Sequence, residues 1–267
     1  MLPFSSPHAL IGMIHLRALP GTPKASHSIQ ELTQLALAEA RIYAEAGMDG
    51  ILLENMHDVP YLNQSVGPEV TAAMTAVATA VRREIDLPMG IQVLAGANRE
   101  ALAIALAAEL QWIRAEGFVF GHVGDEGYID AQAGRLLRYR KQIGADHIQV
   151  WTDIKKKHSS HAVTADVDIV ETGRAAQFFC SDALILTGVS TGTTADVGEI
   201  RAVKSGVDLP IVIGSGITVD NVQDYIPDAD ACIVGSSLKR EGRWNLAVDP
   251  ERVQALVDKV KILRGPR

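Results

Sequence analysis

Residues 183–188 read ALILTG, residues 210–216 read PIVIGSG and residues 231–236 read ACIVGS. Each is a short run of Ile, Val and Leu that stops in glycine and a hydroxyl residue. Runs this short and this apolar suit strands covered on both faces, as in a parallel sheet. A helical pattern separates each run from the next, first Val197–Ser205 and then Val219–Tyr225. Strand and helix in strict alternation point to parallel packing.

The same alternation extends to the N-terminus. The earlier runs are Leu10–Leu16 (LIGMIHL), Gly50–Asn55 (GILLEN), Met89–Leu94 (MGIQVL), Trp112–Glu116 (WIRAE) and Ile148–Lys155 (IQVWTDIK). Between them lie helical stretches at Ser28–Ala46, Pro68–Ile85, Arg99–Leu110, Ala131–Ile143 and Asp168–Cys180, and Pro250–Leu263 closes the chain. Ser28 with Glu31 is a capping-box pattern. Gly47, Gly144 and Gly206 suit left-handed helix stops, and Asp220 and Asp249-Pro250 suit helix starts. Eight such units are the number that closes a (β/α)8 TIM barrel with right-handed crossovers. An open doubly wound sheet is the alternative. It usually carries a Gly-rich fingerprint after its first strand, where this chain reads HLRALPG.

Length agrees with one barrel domain spanning residues 1–267, since such barrels use about 250 residues. Surface scaling predicts about 11,000 Å² for the compact chain and burial of roughly 73% of the unfolded surface. Apolar residues make up 47% and charged residues 21%, which excludes wholesale disorder. A net charge of −7 argues against a nucleic-acid partner but leaves room for a local cationic pocket. The two cysteines, Cys180 and Cys232, both sit in apolar surroundings and read as buried thiols. No apolar run is long enough to span a bilayer, and the N-terminus lacks a basic n-region. The expected location is the cytoplasm, with self-association into a homo-oligomer.

In a barrel the active site lies at the C-terminal ends of the strands. Two of those ends carry Gly214-Ser215-Gly216 and Gly235-Ser236, side by side in the expected order. Glycine lets backbone N–H groups approach an oxyanion, so this corner reads as a phosphate site. Thr187-Gly188, with Ser190, Thr191-Gly192 and Thr193-Thr194, adds hydroxyls beside it. Taken alone, each cluster would pass as a tight turn.

Alternation in Ile148–Lys155 puts Ile148, Val150, Thr152 and Ile154 on one face and Gln149, Trp151, Asp153 and Lys155 on the other. The second set should face the barrel, bringing Asp153 and Lys155 to its mouth. A carboxylate there can orient or deprotonate a ligand, and a lysine can neutralise an anion or act as a nucleophile. A plain Asp–Lys ion pair is the bland alternative. His15 and Glu54 end their own strands and complete the candidate catalytic set. Asn55, Gln92 and Glu116 end strands as well, and His57 reads as a helix-start or loop histidine. The glycine-rich loop of residues 117–130 suits a lid, from which Asp125 and Glu126 could reach the ligand. His158 follows the basic run Lys155-Lys156-Lys157 and could face an anion. Asp153, His158 and His161 are metal-ligand types, but their spacing matches no zinc signature, so no cofactor is expected and a divalent metal is the lesser alternative.

These motifs together resemble the BtpA/SgcQ family, named for a photosystem I biogenesis factor. The matching stretches are Gly12-Met13-Ile14-His15-Leu16, Leu19-Pro20-Gly21, Asp49-Gly50, Glu54-Asn55 and Asp58-Val59-Pro60. Further matches are Asp153 to His158, Thr187-Gly188 through Thr191-Gly192, Gly214-Ser215-Gly216, Thr218, Asn221-Val222, Val234-Gly235-Ser236 and Lys239. One departure is Arg114-Ala115-Glu116, where the family more often has an Arg-Val-Asn-type segment. The resemblance implies a barrel of the ribulose-phosphate-binding type and transfers no particular reaction. The readings it leaves are an isomerase, epimerase or lyase acting on a phosphorylated small molecule, or a non-catalytic assembly factor for a membrane complex. A nucleoside- or base-processing hydrolase using Glu54 and Asp153 is the third.

Overall fold

A computed structural model describes residues 1–188 and 194–265. In chain order its strands are β1 (Ala9–His15), β2 (Gly50–Glu54), β3 (Met89–Gln92), β4 (Trp112–Ala115), β5 (His122–Gly124), β6 (Gly127–Ile129), β7 (Gln149–Asp153), β8 (Ser159–Ser160), β9 (Ala183–Leu186), β10 (Ile211–Ile213) and β11 (Ala231–Val234). Eight of them, β1, β2, β3, β4, β7, β9, β10 and β11, pair in that order and close into a barrel. All the barrel pairings are parallel, and Ala9 opposite Ala231 seals the ring. The open sheet is thereby excluded. Accessible area is 11500 Å², close to the value expected for one compact chain of this mass.

The helices are α1 (Ile29–Ala46), α2 (Pro68–Glu84), α3 (Asn98–Ala107), α4 (Ala133–Gln142), α5 (Ile169–Phe178), α6 (Val197–Gly206), α7 (Val222–Tyr225) and α8 (Pro250–Arg264). The Ser28–Glu31 capping box forms, and Asp249 caps α8. Gly47 (φ 87) and Gly144 (φ 71) are left-handed, but Gly206 is simply the last residue of α6, followed by extended Val207. Helix α7 is shorter than expected and starts after Asn221, not Asp220. Thr218 and Asn221 exchange two hydrogen bonds that hold the preceding turn out of the helix.

Every expected barrel strand runs one to three residues too far at its C-terminal end. There the chain reaches the rim and leaves the ladder, so polar side chains turn toward water, ligand or each other. Inside the barrel, period-two alternation separates two cores. Ile148, Val150 and Ile154 pack between sheet and helices. Ile11, Met13, Leu52, Trp112, Trp151, Ile185, Val212 and Ile233 fill the interior. At its base Trp112 and Trp151 stack at 4.5 Å and 8°, with Phe4 edge-on to both. A Cβ at Gly90 would come within 2.2 Å of the Trp112 indole, so only glycine leaves room for that ring.

The loop after β4 does form a cover, but as a small sheet. Strands β5 and β6 make a hairpin, and β8, from the loop after β7, pairs antiparallel with β5. Asn63 Nδ2 donates to the Glu126 and Tyr128 carbonyls and ties this lid to the loop after β2. Cys232 is buried as expected, whereas Cys180 is exposed. It follows the end of α5 at φ 65, beside exposed Phe178 and Phe179, where the chain turns away from the core. Among the described residues no helix is long and apolar enough to cross a membrane.

Candidate functional site

The inward residue two places beyond each apolar one changes character at the mouth. Met13 is followed by His15, Leu52 by Glu54, Trp112 by Arg114 and then Glu116, and Trp151 by Asp153. Val212 is followed by Gly214 and Ile233 by Gly235. All of these outer residues, with Gln92, line one cavity of about 680 Å³ at the C-terminal end of the barrel.

Its floor is a set of interlocked ion pairs. Arg114 grips Asp153 bidentately, Nε to Oδ2 and Nη2 to Oδ1 at 2.8 Å each. Two parallel bonds of this kind offset much of the cost of burying both charges. Gly214 makes room for it, because a Cβ there would sit 3.2 Å from Arg114 Nη2 and 2.6 Å from Ile185. Burial works against the Arg114 charge, but Asp153 more than compensates and raises its pKa further.

His15 Nε2 lies 3.3 Å from Glu54 Oε2, and its Nδ1 lies 3.1 Å from the Trp244 carbonyl. Each ring nitrogen thus faces one oxygen. Burial opposes ionisation of Glu54, yet the bond and charge of His15, with Arg114 and Lys157, hold its pKa below the usual value. Lys156 Nζ pairs with Glu116 Oε1 at 3.4 Å, and Gln92 Nε2 donates to the same oxygen at 3.2 Å. Burial, reinforced by Asp153 and Glu54 against the pull of Lys156 and Arg114, leaves the Glu116 pKa raised.

A further wall is the glycine–serine corner, with Gly214 beside Arg114 and Gly235 beside His15. Ser237 Oγ donates to the Ile217 carbonyl at 2.6 Å, so the turns after β10 and β11 are stitched together. The amides of Gly216, Ile217, Ser236 and Ser237 find no acceptor among the described residues. Gly214, Ser215, Gly216, Gly235 and Ser236 all line the cavity, as do the Arg252 side chain and Asp220. Thr187 and Gly188 lie behind that wall instead. Thr187 Oγ1 accepts from the Lys157 amide, and the Gly188 amide donates to Ser215 Oγ. Ser190, Thr191, Gly192 and Thr193 fall outside the described residues, and Thr194 is exposed.

Two more expected site residues lie away from the cavity. Lys155 does not share the inward face of Asp153: β7 ends at Asp153, and Lys155 takes a left-handed φ of 46 that breaks the alternation. Its Nζ donates to the Thr164 carbonyl at 2.9 Å and does not enter the cavity. Asn55 is wholly buried and structural, donating to Asp58 and accepting from the Leu94 amide, which binds the loops of neighbouring strands together. From the lid, Asp125, Glu126 and His158 do line the cavity. His161 faces the Lys156 carbonyl, and no cluster of three or more metal-ligating side chains occurs among the described residues.

Sequence reasoning passed over Arg114, Lys156, Lys157 and Trp244. Arg114 was legible, since it shares parity with Trp112 in a strand otherwise fully apolar. Trp244 was not: it comes from the loop between β11 and α8, which folds back so that its ring lies 4.8 Å from His57. Burial, helped by Arg17, pushes the His57 pKa down to about 4.

Comparison with known proteins places this geometry in context. A mitochondrial protein of Caenorhabditis elegans is 42% identical over 265 residues, covering 97% of this chain and 95% of its own. The photosystem I biogenesis protein BtpA of Synechocystis is 34% identical over 261 residues, covering 96% and 88%. Among solved structures, thiamine phosphate pyrophosphorylase from Pyrococcus furiosus superposes with a TM-score of 0.58 at 14% identity, over 97% of both chains. The (S)-3-O-geranylgeranylglyceryl phosphate synthase of Thermoplasma acidophilum, in complex with sn-glycerol-1-phosphate, gives 0.58 at 18% identity, over 96% and 94%. These two share the barrel fold. The BtpA family model matches residues 6–262, and the chain belongs to the BtpA family.

Proposed function

We propose that this barrel is an enzyme that holds a phosphorylated small molecule, such as a sugar phosphate or ribosyl phosphate, and moves protons on its carbon skeleton. The observation that carries this reading is the pairing of the two turns through Ser237 and Ile217, whose neighbouring amides have no acceptor among the described residues, on the same cavity that the ion-paired residues line. Backbone N–H groups converging beside glycine are a recurrent solution for phosphate. A phosphate held away from the reacting atoms supplies binding energy that orients them. The solved neighbours named for phosphate compounds support the same substrate class.

In this reading Glu54 and His15 exchange protons with the ligand, giving isomerase, epimerase or lyase chemistry. Asp153 has both oxygens engaged by Arg114, so it fixes that guanidinium and is a poor base. The hydrolase reading, which needs Asp153 to take a proton, loses ground for the same reason. A non-catalytic assembly factor remains the second reading, favoured by Phe178 and Phe179, which are 82% and 46% exposed at the end of α5. Such a scaffold would have no use for a convergent ionisable mouth.

Calorimetric titration with ribose 5-phosphate and glycerol phosphates tests the proposal. Saturable binding is expected, with a loss of about 100-fold or more in Ser215→Asp, because a carboxylate beside the phosphate repels it at short range. Absence of binding to every phosphate compound, with intact fold, would reject it.

A further inference from the structure

Among the described residues four lysine and arginine side chains line the cavity, and three of them have a carboxylate partner. Arg114 holds Asp153 at 2.8 Å, Lys156 holds Glu116 at 3.4 Å and Arg252 lies 3.7 Å from Asp249. The fourth, Lys157, lines the cavity, and among the described residues no carboxylate lies within 4.0 Å of its ammonium. Its backbone is nevertheless fixed. The Lys157 amide donates to Thr187 Oγ1 at 3.1 Å. Lys155 and His158, close on either side, take left-handed φ values of 46 and 54. Such conformations are costly for residues with a side chain and persist where surrounding contacts impose them.

We infer that Lys157 is the amine that forms a Schiff base with the carbonyl carbon of the phosphorylated ligand, with the His15–Glu54 pair exchanging the protons. This rests on the phosphate reading above and narrows it to substrates carrying an aldehyde or ketone. The other two lysines of the run are unavailable, since Lys155 donates to Thr164 and Lys156 is bound to Glu116. An amine must be neutral to attack a carbonyl. Burial and the Arg114 charge lower the Lys157 pKa, against the pull of Glu54, Asp153 and Glu116. For Lys156 the balance is reversed: burial opposes its charge, but Glu116, Glu126 and Asp153 outweigh burial and raise its pKa.

The step balances without a cofactor. The Lys157 nitrogen pair bonds to the carbonyl carbon, and the C=O π pair moves to oxygen, which takes a proton. Nitrogen gives up a proton to leave a neutral carbinolamine. The nitrogen pair then expels the hydroxyl, which takes a second proton and departs as water, leaving an iminium ion. That cation acidifies the adjacent C–H, and Glu54, held 3.3 Å from His15, is the carboxylate that takes its proton.

The full chain is incubated separately with dihydroxyacetone phosphate, glyceraldehyde 3-phosphate and ribose 5-phosphate, and with dihydroxyacetone, glyceraldehyde and ribose. Borohydride reduction, digestion and mass spectrometry then locate any adduct. Calorimetry measures binding of the same phosphates in parallel. The expected result is an adduct on Lys157 at least 10-fold above any other lysine with one of the phosphorylated carbonyls. It should be absent in Lys157→Arg and retained in Lys155→Arg. Tight binding of the phosphates with no adduct, or with adducts scattered over surface lysines, overturns this inference and leaves the phosphate site standing. Failure of every phosphate to bind removes the phosphate reading and this inference with it.

Discussion

At the base of the barrel Trp112 and Trp151 lie stacked in an apolar plug, and two residues further along the same strands Arg114 and Asp153 form a buried ion pair. The strands are continuous and the inward face is the same, so only the side chains differ. The plug is held by area and shape, which are indifferent to pH and ligand. Arg114 and Asp153 are each other's partner in a buried layer, an arrangement that is a weak source of stability but a precise source of position. The contrast teaches that this barrel keeps its stabilising and its working residues in successive layers.

Truncating the plug separates the layers most clearly. Trp112→Ala should lower stability by about 3–5 kcal/mol in denaturant titration while leaving phosphate affinity within about twofold. A large fall in affinity would mean that the layers are not independent. Arg114→Ala comes next. It strands Asp153 as a buried charge and should cost about 3 kcal/mol. The double replacement Arg114→Met with Asp153→Leu should recover most of that stability and none of the ligand binding, as thermal melts with and without phosphate ligand would show.

The smallest effect expected is a pH dependence that arises in the rim loops and the covering sheet, away from the plug. Burial and Arg17 hold His57 at about 4 against an ordinary 6.5, and burial with Lys156 and His161 holds His122 at about 4 as well. The unfolded chain therefore binds protons at these rings from about pH 6.5 downward, and the folded chain does so only near 4. Their contribution is intact above pH 6.5, declines as pH falls toward 4 and levels off below. The melting temperature should drop through this window, and His57→Asn with His122→Asn should flatten the drop. Trp112→Ala should leave its slope alone. A slope unchanged by the two histidine replacements would assign the acid sensitivity elsewhere.

How much of this could be read from the residues alone follows the same division. Ile, Val and Leu runs marked all eight barrel strands, because burial on both faces permits little else. Alternation in IQVWTDIK placed Trp151 and Asp153 inside. The same logic applied to WIRAE would have produced Arg114, but one arginine in a buried run reads as an interruption until its partner is known. Lys155 was misplaced because a left-handed backbone at the strand end leaves no trace in residue type. Trp244 and the pairing of β8 with β5 join segments far apart in sequence, and no local pattern encodes such contacts.

That pairing has a practical corollary for anyone exchanging loops between barrels. Val123 opposite Ser160 and Gly124 opposite Ser159 weld two separate connections into one piece. A graft of either connection by itself would arrive with a bare strand edge, so the two must be transplanted together or not at all.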